Sequence, residues 1–539
     1  MILRVFELAV CSTVIGASLW PGTCRSQASM GADQRCASIA AMHLEGIEIL
    51  EAQSQGEGVT VGPFGAQPAH CLVRGEVGRH KGSDGNEYGD KFELRLPDRW
   101  TERMYFQGGG GLDGILYPAL GASMANPSAP SALSKGYAVV STDGGHEGKN
   151  PLDADFGSDP QALADYAYRS TDIVEKAARK IVVAYYGREP RHSYMVGCSN
   201  GGREAMIASQ RYPDDFDGIV AGDPAFDLTK AAVGEAWNTI RFAEIAPKNT
   251  QGMPDLRQSF PLADLNLLSN AILKACDALD GLSDGLIENP GACKFDPAVL
   301  QCTGPKTGTC LSADQVRILK AVFAGPKNSA GESLYSSWPY DAGTNGEDWR
   351  GWNLGNDRMP IALNALIYPQ FVNHVALAPG QPPISSPFSF NFDTDPQRVA
   401  YAHDAIDATS TQMQGFRSHQ GKIIYFTGMS DPVFSANDLI RYYDRLASDN
   451  GGIDKTRTFA RLFLVPGMNH CGGGPALDQF DALTAIEAWV ENRTAPQSMT
   501  ATGKSFPGRS RPLCAYPEIP RYTGNGSIEE AKNFVCRRP

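Results

Sequence analysis

Ser199, Asp431 and His470 are the residues whose types and settings most clearly permit chemistry. Gly197-Cys198-Ser199-Asn200-Gly201 reads G-x-S-x-G, with an apolar run (193–197, SYMVG) before it and a helix-forming run (201–212) after it. Strand, sharp turn, then helix is the setting a serine nucleophile needs, because the turn lifts Oγ clear of the backbone and the helix N-terminus favours developing negative charge. A hydroxyl is a weak nucleophile at neutral pH and requires an adjacent base. Among nine histidines, His470 stands out in the loop Gly467-Met468-Asn469-His470-Cys471-Gly472, directly after a strand-like run ending Leu464-Val465-Pro466. His146, in Thr142-Asp143-Gly144-Gly145-His146, is the rival, but it precedes the serine. The order nucleophile, acid, histidine favours His470 and places the acid between the two. Asp431 follows the strand-like run 421–427 (GKIIYFT); Asp438 is the fallback. The run Gly108–Gly111, just after the strand-like 103–107 (RMYFQ), is placed to stabilise a tetrahedral oxyanion, with the backbone N–H of Asn200 as the second donor. A phosphate loop is disfavoured, since no Gly-Lys-Ser/Thr closes the glycine run.

Two further groups of residues carry chemistry. Of twelve cysteines, Cys11 and Cys24 fall in a candidate leader, which leaves an even ten, as an oxidised extracellular protein would have. Local spacing suggests Cys36–Cys71, Cys276–Cys293, Cys302–Cys310 and Cys514–Cys536. Cys198 and Cys471 are left over, each beside a catalytic candidate; a bond between them would hold base against nucleophile, and free thiols are the alternative. No CxxC pair is present, which disfavours zinc. Asp277, Asp280 and Asp284 lie within eight residues separated by glycines, hard-oxygen chemistry suited to Ca²⁺ without the EF-hand spacing; a solvated acidic turn is the plainer reading.

The elements that must position these groups follow from periodicity. Strand-like runs at 92–96, 103–107, 137–141, 193–197 and 216–221 alternate with helical patterns at 160–186 and 201–212, and strand character returns at 421–427 and 459–466 before a helix at 481–491. Such alternation predicts an α/β fold, a mostly parallel sheet flanked by helices, of the α/β-hydrolase type. The rhythm breaks between 227 and 410, which predicts a large inserted lid. The expected organisation is a signal peptide over 1–28, a first part of the α/β domain over 29–226, a lid over 227–410 and a second part over 411–539. The leader rests on Arg4, the apolar run 8–20 and the small-x-small triplet Ser26-Gln27-Ala28, and implies a secreted or periplasmic protein. A net charge of −12 argues against nucleic-acid binding and against adhesion to an anionic membrane.

These residues together resemble the tannase/feruloyl esterase family, whose Cys-Ser…Asp…His-Cys signature is matched by Cys198-Ser199, Asp431 and His470-Cys471. GCSNGGRE, CDALDGLSDG, RLFLVPGMNHC and RPLCAYP are similar as well, and the likeness leans toward the bacterial mono(2-hydroxyethyl) terephthalate hydrolase branch. The resemblance implies a Cys198–Cys471 disulfide and an oxyanion hole of Gly111 and Asn200. It also implies a structural Ca²⁺ held by Asp277, Asp280 and Asp284 with the Leu282 and Leu286 carbonyls. It implies that Arg358 meets a substrate carboxylate while Trp352 and Phe434 grip an aromatic ring. This chain departs from that branch in a shorter segment before Arg358, in Ala362 where a phenylalanine is expected, and in Asn200 where an acid is expected. Terephthalate, feruloyl and galloyl esters therefore all remain open as substrates of an aromatic-ester hydrolase. The rivals are a catalytically silent calcium-dependent binding protein, and a lipase or peptidase on the same fold.

Overall fold

The computed structural model describes residues 30–123 and 129–539; the expected leader, with Cys11 and Cys24, lies outside the described residues. Nine strands make one sheet: β1 (Ile47–Gln55), β2 (His70–Lys81), β3 (Glu87–Pro97), β4 (Arg103–Gln107), β5 (Ala138–Thr142), β6 (His192–Cys198), β7 (Gly218–Gly222), β8 (Lys422–Gly428) and β9 (Ala460–Val465). Their order is β1-β2-β3-β5-β4-β6-β7-β8-β9. The six strands β4 to β9 are mutually parallel, whereas β1, β2 and β3 are antiparallel and join the rest through β5. Helices α1 (Ser170–Tyr186) and α2 (Asn200–Arg211) make the crossovers into β6 and β7.

Alternation along each strand divides its side chains between the two faces. Phe106 and Met104 join Phe92, Met195, Ile423 and Tyr425 in one core. Tyr105 points the other way, into a second core with Val139, Tyr194, Ile424 and Phe463. Every β7 residue is buried, as expected of a parallel strand covered on both faces. The mostly parallel sheet agrees with the predicted fold class. Strands β1 and β2 escape the sequence reading: β1, IEILEAQSQ, is a half-exposed edge strand in which no residue is fully buried.

The predicted long helix at 160–186 is interrupted. An α-turn at Pro160–Ala164 passes into a π-turn at Asp165–Arg169 before α1 begins. The physical reason is Arg203 on α2, whose guanidinium donates to the carbonyls of Ala167 (2.8 Å) and Tyr166 (2.9 Å), satisfying acceptors that the π-turn frees.

Between β7 and β8 the chain adds no strand to this sheet. Helices α3 (Leu228–Ala243), α4 (Leu262–Cys276) and α5 (Ala313–Ala324), with shorter helices at Glu347–Asn353 and Leu363–Gln370, lie in this stretch. Their apolar faces share a third core built around Phe242, Phe260, Leu268, Leu319 and Trp349. Val433 and Phe434, just after β8, belong to the same core, so these helices pack down onto the ends of the strands.

Candidate active site

Strand β6 ends at Cys198 and α2 starts at Asn200, which leaves Ser199 as the whole turn, at φ 63° and ψ −125°. A side chain held at positive φ costs on the order of 1–3 kcal/mol and persists only where the surroundings over-determine it. Here the Ser199 N–H donates to the Gly222 carbonyl (3.0 Å) and the Ser199 carbonyl accepts from the Ala225 N–H (3.1 Å). The motif's glycines are demanded by contact: a Cβ on Gly197 would lie 2.3 Å from the Gly201 backbone, and one on Gly201 2.7 Å from the Gly109 carbonyl oxygen.

Asp431 follows β8 and is fully buried. Its Oδ1 accepts the Val433 and Phe434 N–H groups (2.7 and 3.0 Å), and its Oδ2 lies 2.9 Å from His470 Nδ1. That bond assigns the Nδ1 proton and leaves Nε2 as the base; Nε2 is buried with no hydrogen-bond partner. The loop after β9 is fixed by the Cys198–Cys471 disulfide (Cα–Cα 6.0 Å) and by the His470 N–H, which donates to the Asp348 carboxylate (3.2 Å). The Cys471 N–H donates to Asp223, which also accepts from Gly428 at the end of β8. Burial works against the imidazolium, but Asp431, Asp223 and Asp348 outweigh it and raise His470 to about 9. Asp223, buried and facing the Asp431 charge, rises to about 8.

Ser199, Asn200 and His470 line one cavity of about 400 Å³, together with Gly109, Gly110 and Gly111. Trp352 and Phe434 line it too, their rings edge-on to His470 at 5.5 and 5.3 Å between centroids. The Asn200 side chain is turned away into a buried network: it donates to Glu204 (3.0 Å) and Asp113, and accepts from Arg203 Nε (2.7 Å). Glu204 accepts the Gly109 N–H in turn (3.0 Å), so the glycine loop and the start of α2 are tied together.

Other expected residues fall elsewhere. Arg358 does not line the cavity: its side chain is 84% exposed, with Nε 3.5 Å from Glu347. His146 is buried against the Phe156 ring at 3.8 Å, where desolvation lowers it to about 4. Asp438 pairs with Arg441 on helix α6 (Ala436–Asp449). Sequence reasoning missed Asp223, Asp348 and Glu235. Asp223 was within reach, because it follows the C-terminal end of a parallel strand, where α/β folds gather their site residues. Glu235 also left a trace, sharing one α3 face with Leu228, Ala231 and Ala232 at helical spacing.

All five expected disulfides are formed: Cys36–Cys71, Cys198–Cys471, Cys276–Cys293, Cys302–Cys310 and Cys514–Cys536. In the acidic loop after α4, Asp277 accepts the Asp284 and Gly285 N–H groups, and Asp280 accepts those of Leu282 and Glu288. The Leu286 N–H donates to Asp284, which is also ion-paired with the buried Arg511. Among the described residues, Asp277 and Asp280 have no ion-pair partner. The groups of three His, Cys or carboxylate donors that approach within 4.8 Å of one another lie elsewhere; one of them is Asp223, Asp431 and His470. The loop's hard-oxygen donors and unpaired charge fit a calcium ion in chemistry, with its carboxylates spread along the backbone.

Residues 71–537 match the family model for tannase and feruloyl esterase. The chain is 43% identical to a mono(2-hydroxyethyl) terephthalate hydrolase of Piscinibacter sakaiensis over 522 residues, which covers 88% of this chain and 86% of that one. Feruloyl esterase B from Aspergillus oryzae superposes with a TM-score of 0.77 at 24% identity, covering 94% of this chain and all of the other. A tannin acyl hydrolase from Aspergillus niger gives 0.70 at 22% identity, over 94% and 95% of the two chains. The chain therefore belongs to the tannase and feruloyl esterase family and is a carboxylic ester hydrolase.

Proposed function

We propose that the protein hydrolyses esters of aromatic acids through an acyl-enzyme formed on Ser199. What carries this reading is the His470–Asp431 pair, with the unpartnered Nε2 of its imidazole buried beside a cavity that Ser199 also lines. His470 takes the Ser199 proton as Oγ attacks the ester carbonyl, and Asp431 holds the tautomer and stabilises the imidazolium. The Gly111 and Asn200 N–H groups stabilise the oxyanion. His470 then protonates the departing alcohol and activates the water that releases the acid. Trp352 and Phe434 offer ring faces and edges suited to an aromatic substrate. A relative named for terephthalate monoester hydrolysis supports the acid class.

Two accompanying proposals concern the setting. The acidic loop holds a calcium ion through Asp277, Asp280 and Asp284 with the Leu282 and Leu286 carbonyls, and the ion braces the segment after α4. The protein works outside the cytoplasm, a reading supported by its five disulfides. Among the described residues, no helix is long and apolar enough to cross a membrane.

The test is covalent labelling by a fluorophosphonate, combined with turnover of methyl ferulate, methyl gallate and mono(2-hydroxyethyl) terephthalate. Labelling and turnover that both vanish in Ser199→Ala, with an unchanged fold, support the reading. Retained turnover in that variant overturns it, and an inert, unlabelled wild type would favour a binding protein.

A further inference from the structure

The cavity contains an acid that the triad does not use. Glu235, on α3, is 4% exposed and lines the same cavity as Ser199 and His470. Among the described residues its carboxyl has neither a hydrogen-bond nor an ion-pair partner. Opening into the cavity, the carboxyl depends for its hydrogen bonds on what the cavity holds. Its neighbours in the lining, Leu228, Ala232, Ile367, Phe371 and Val433, are apolar. The lining includes a second acid, Asp348, but no lysine or arginine.

We propose that Glu235 is a specificity-determining residue, whose carboxyl hydrogen-bonds an uncharged oxygen substituent, a hydroxyl or methoxyl, on the substrate's aromatic ring. The proposal rests on the esterase reading of Ser199 and goes beyond it by setting which aromatic esters fit. Burial, reinforced by the Asp431 charge and opposed by His470, raises Glu235 to about 8. At neutral pH it then keeps its proton and donates. The other titratable groups around it are Asp348 and Tyr117 in the lining, and Tyr368, which senses the Glu235 charge. A substrate bearing a second carboxylate would find no guanidinium or ammonium partner in the cavity lining, since Arg358 points to solvent. The lack of an arginine or lysine in the lining, beside the protonated Glu235, therefore favours phenolic and methoxylated rings over carboxylated ones.

The experiment compares kcat/KM for methyl ferulate, methyl cinnamate and mono(2-hydroxyethyl) terephthalate in the wild type, Glu235→Gln and Glu235→Leu. The ratio of two substrates in one enzyme cancels the ionisation of His470 and any loss of active protein. The ferulate-to-cinnamate ratio should fall by about 10- to 100-fold in Glu235→Leu, the range of one lost hydrogen bond to a buried group, while Glu235→Gln, still a donor, retains most of it. In the wild type the preference for methyl 3,4-dimethoxycinnamate, which has no phenol to ionise, over methyl cinnamate should decline as pH rises through 8, a measurement that needs no variant to fold. Ratios unchanged within about twofold in Glu235→Leu and across that pH range overturn the proposal. So does a wild type that prefers the terephthalate monoester to methyl ferulate. An enzyme that turns over none of the three and takes no fluorophosphonate label would instead refute the reading of Ser199, on which the proposal rests.

Discussion

Removing the Cys198–Cys471 disulfide tests whether a covalent bond sets the geometry of the site or merely holds the fold together. The bond closes a loop with a sequence separation of 273, linking the residue before Ser199 to the residue after His470. In the chain-entropy model a loop of that length stabilises by about 5–6 kcal/mol. Two short disulfides inside the loop, with separations of 17 and 8, shorten it too little to matter to a logarithm. With unfolding entropy near 2 cal/mol/K per residue, that loss lowers Tm by roughly 5 °C in a chain of this size. Catalysis should suffer separately, because an error near 1 Å in placing base against nucleophile costs roughly 100-fold. Hydrogen bonds from His470 and Cys471 to Asp348 and Asp223 survive the change and limit the displacement, so kcat should fall by about 10- to 100-fold. The assay is kcat on a p-nitrophenyl ester, well below Tm, for Cys198→Ala/Cys471→Ala. The control is Cys514→Ala/Cys536→Ala, which opens a loop of separation 22 and removes about 3–4 kcal/mol without touching the cavity. If both variants lose stability and both keep kcat within twofold, the idea that the disulfide positions His470 is refuted.

Five further outcomes are expected. Ser199→Ala should lower kcat by about 10⁴- to 10⁶-fold without changing the far-ultraviolet dichroism spectrum, since a triad acts as a unit. With His470 raised from 6.5 to about 9, kcat/KM should climb as pH rises toward 9 because the base must be neutral, and Asp348→Asn should move that limb to lower pH. The same shift contributes stability that is complete below about 6.5 and lost as pH rises through 9, which urea denaturation at pH 6 and pH 9.5 would detect. Gly201→Ala would press a methyl against the Gly108–Gly109 backbone; a loss of about 1–3 kcal/mol with a disproportionate fall in kcat is expected from urea melts and turnover. Calcium chelation should lower Tm and leave kcat at 25 °C unaltered, and an unchanged Tm would count against the loop as a calcium site.

What could be read from the sequence was what short-range pattern encodes. Short continuous apolar runs in RMYFQ and GKIIYFT identify buried strands, and a glycine on each side of Ser199 marks a turn too tight for any Cβ. Because α/β sheets present their chemistry at the C-terminal ends of parallel strands, Asp431 and His470 could be chosen by their position after such strands, and the structure brings His470 to the cavity of Ser199 with Asp431 hydrogen-bonded behind it. The cysteine pairs followed from small separations, and the last from elimination together with family likeness. Tertiary structure alone decided the rest. The π-turn at 165–169 depends on Arg203, a residue more than thirty positions away whose reach no local window contains. Arg358 turns to solvent and Glu235 turns inward, although arginine and glutamate are equally polar in sequence. Burial is a property of the neighbours that the fold assembles, and local periodicity cannot say which charged side chain the assembly will enclose.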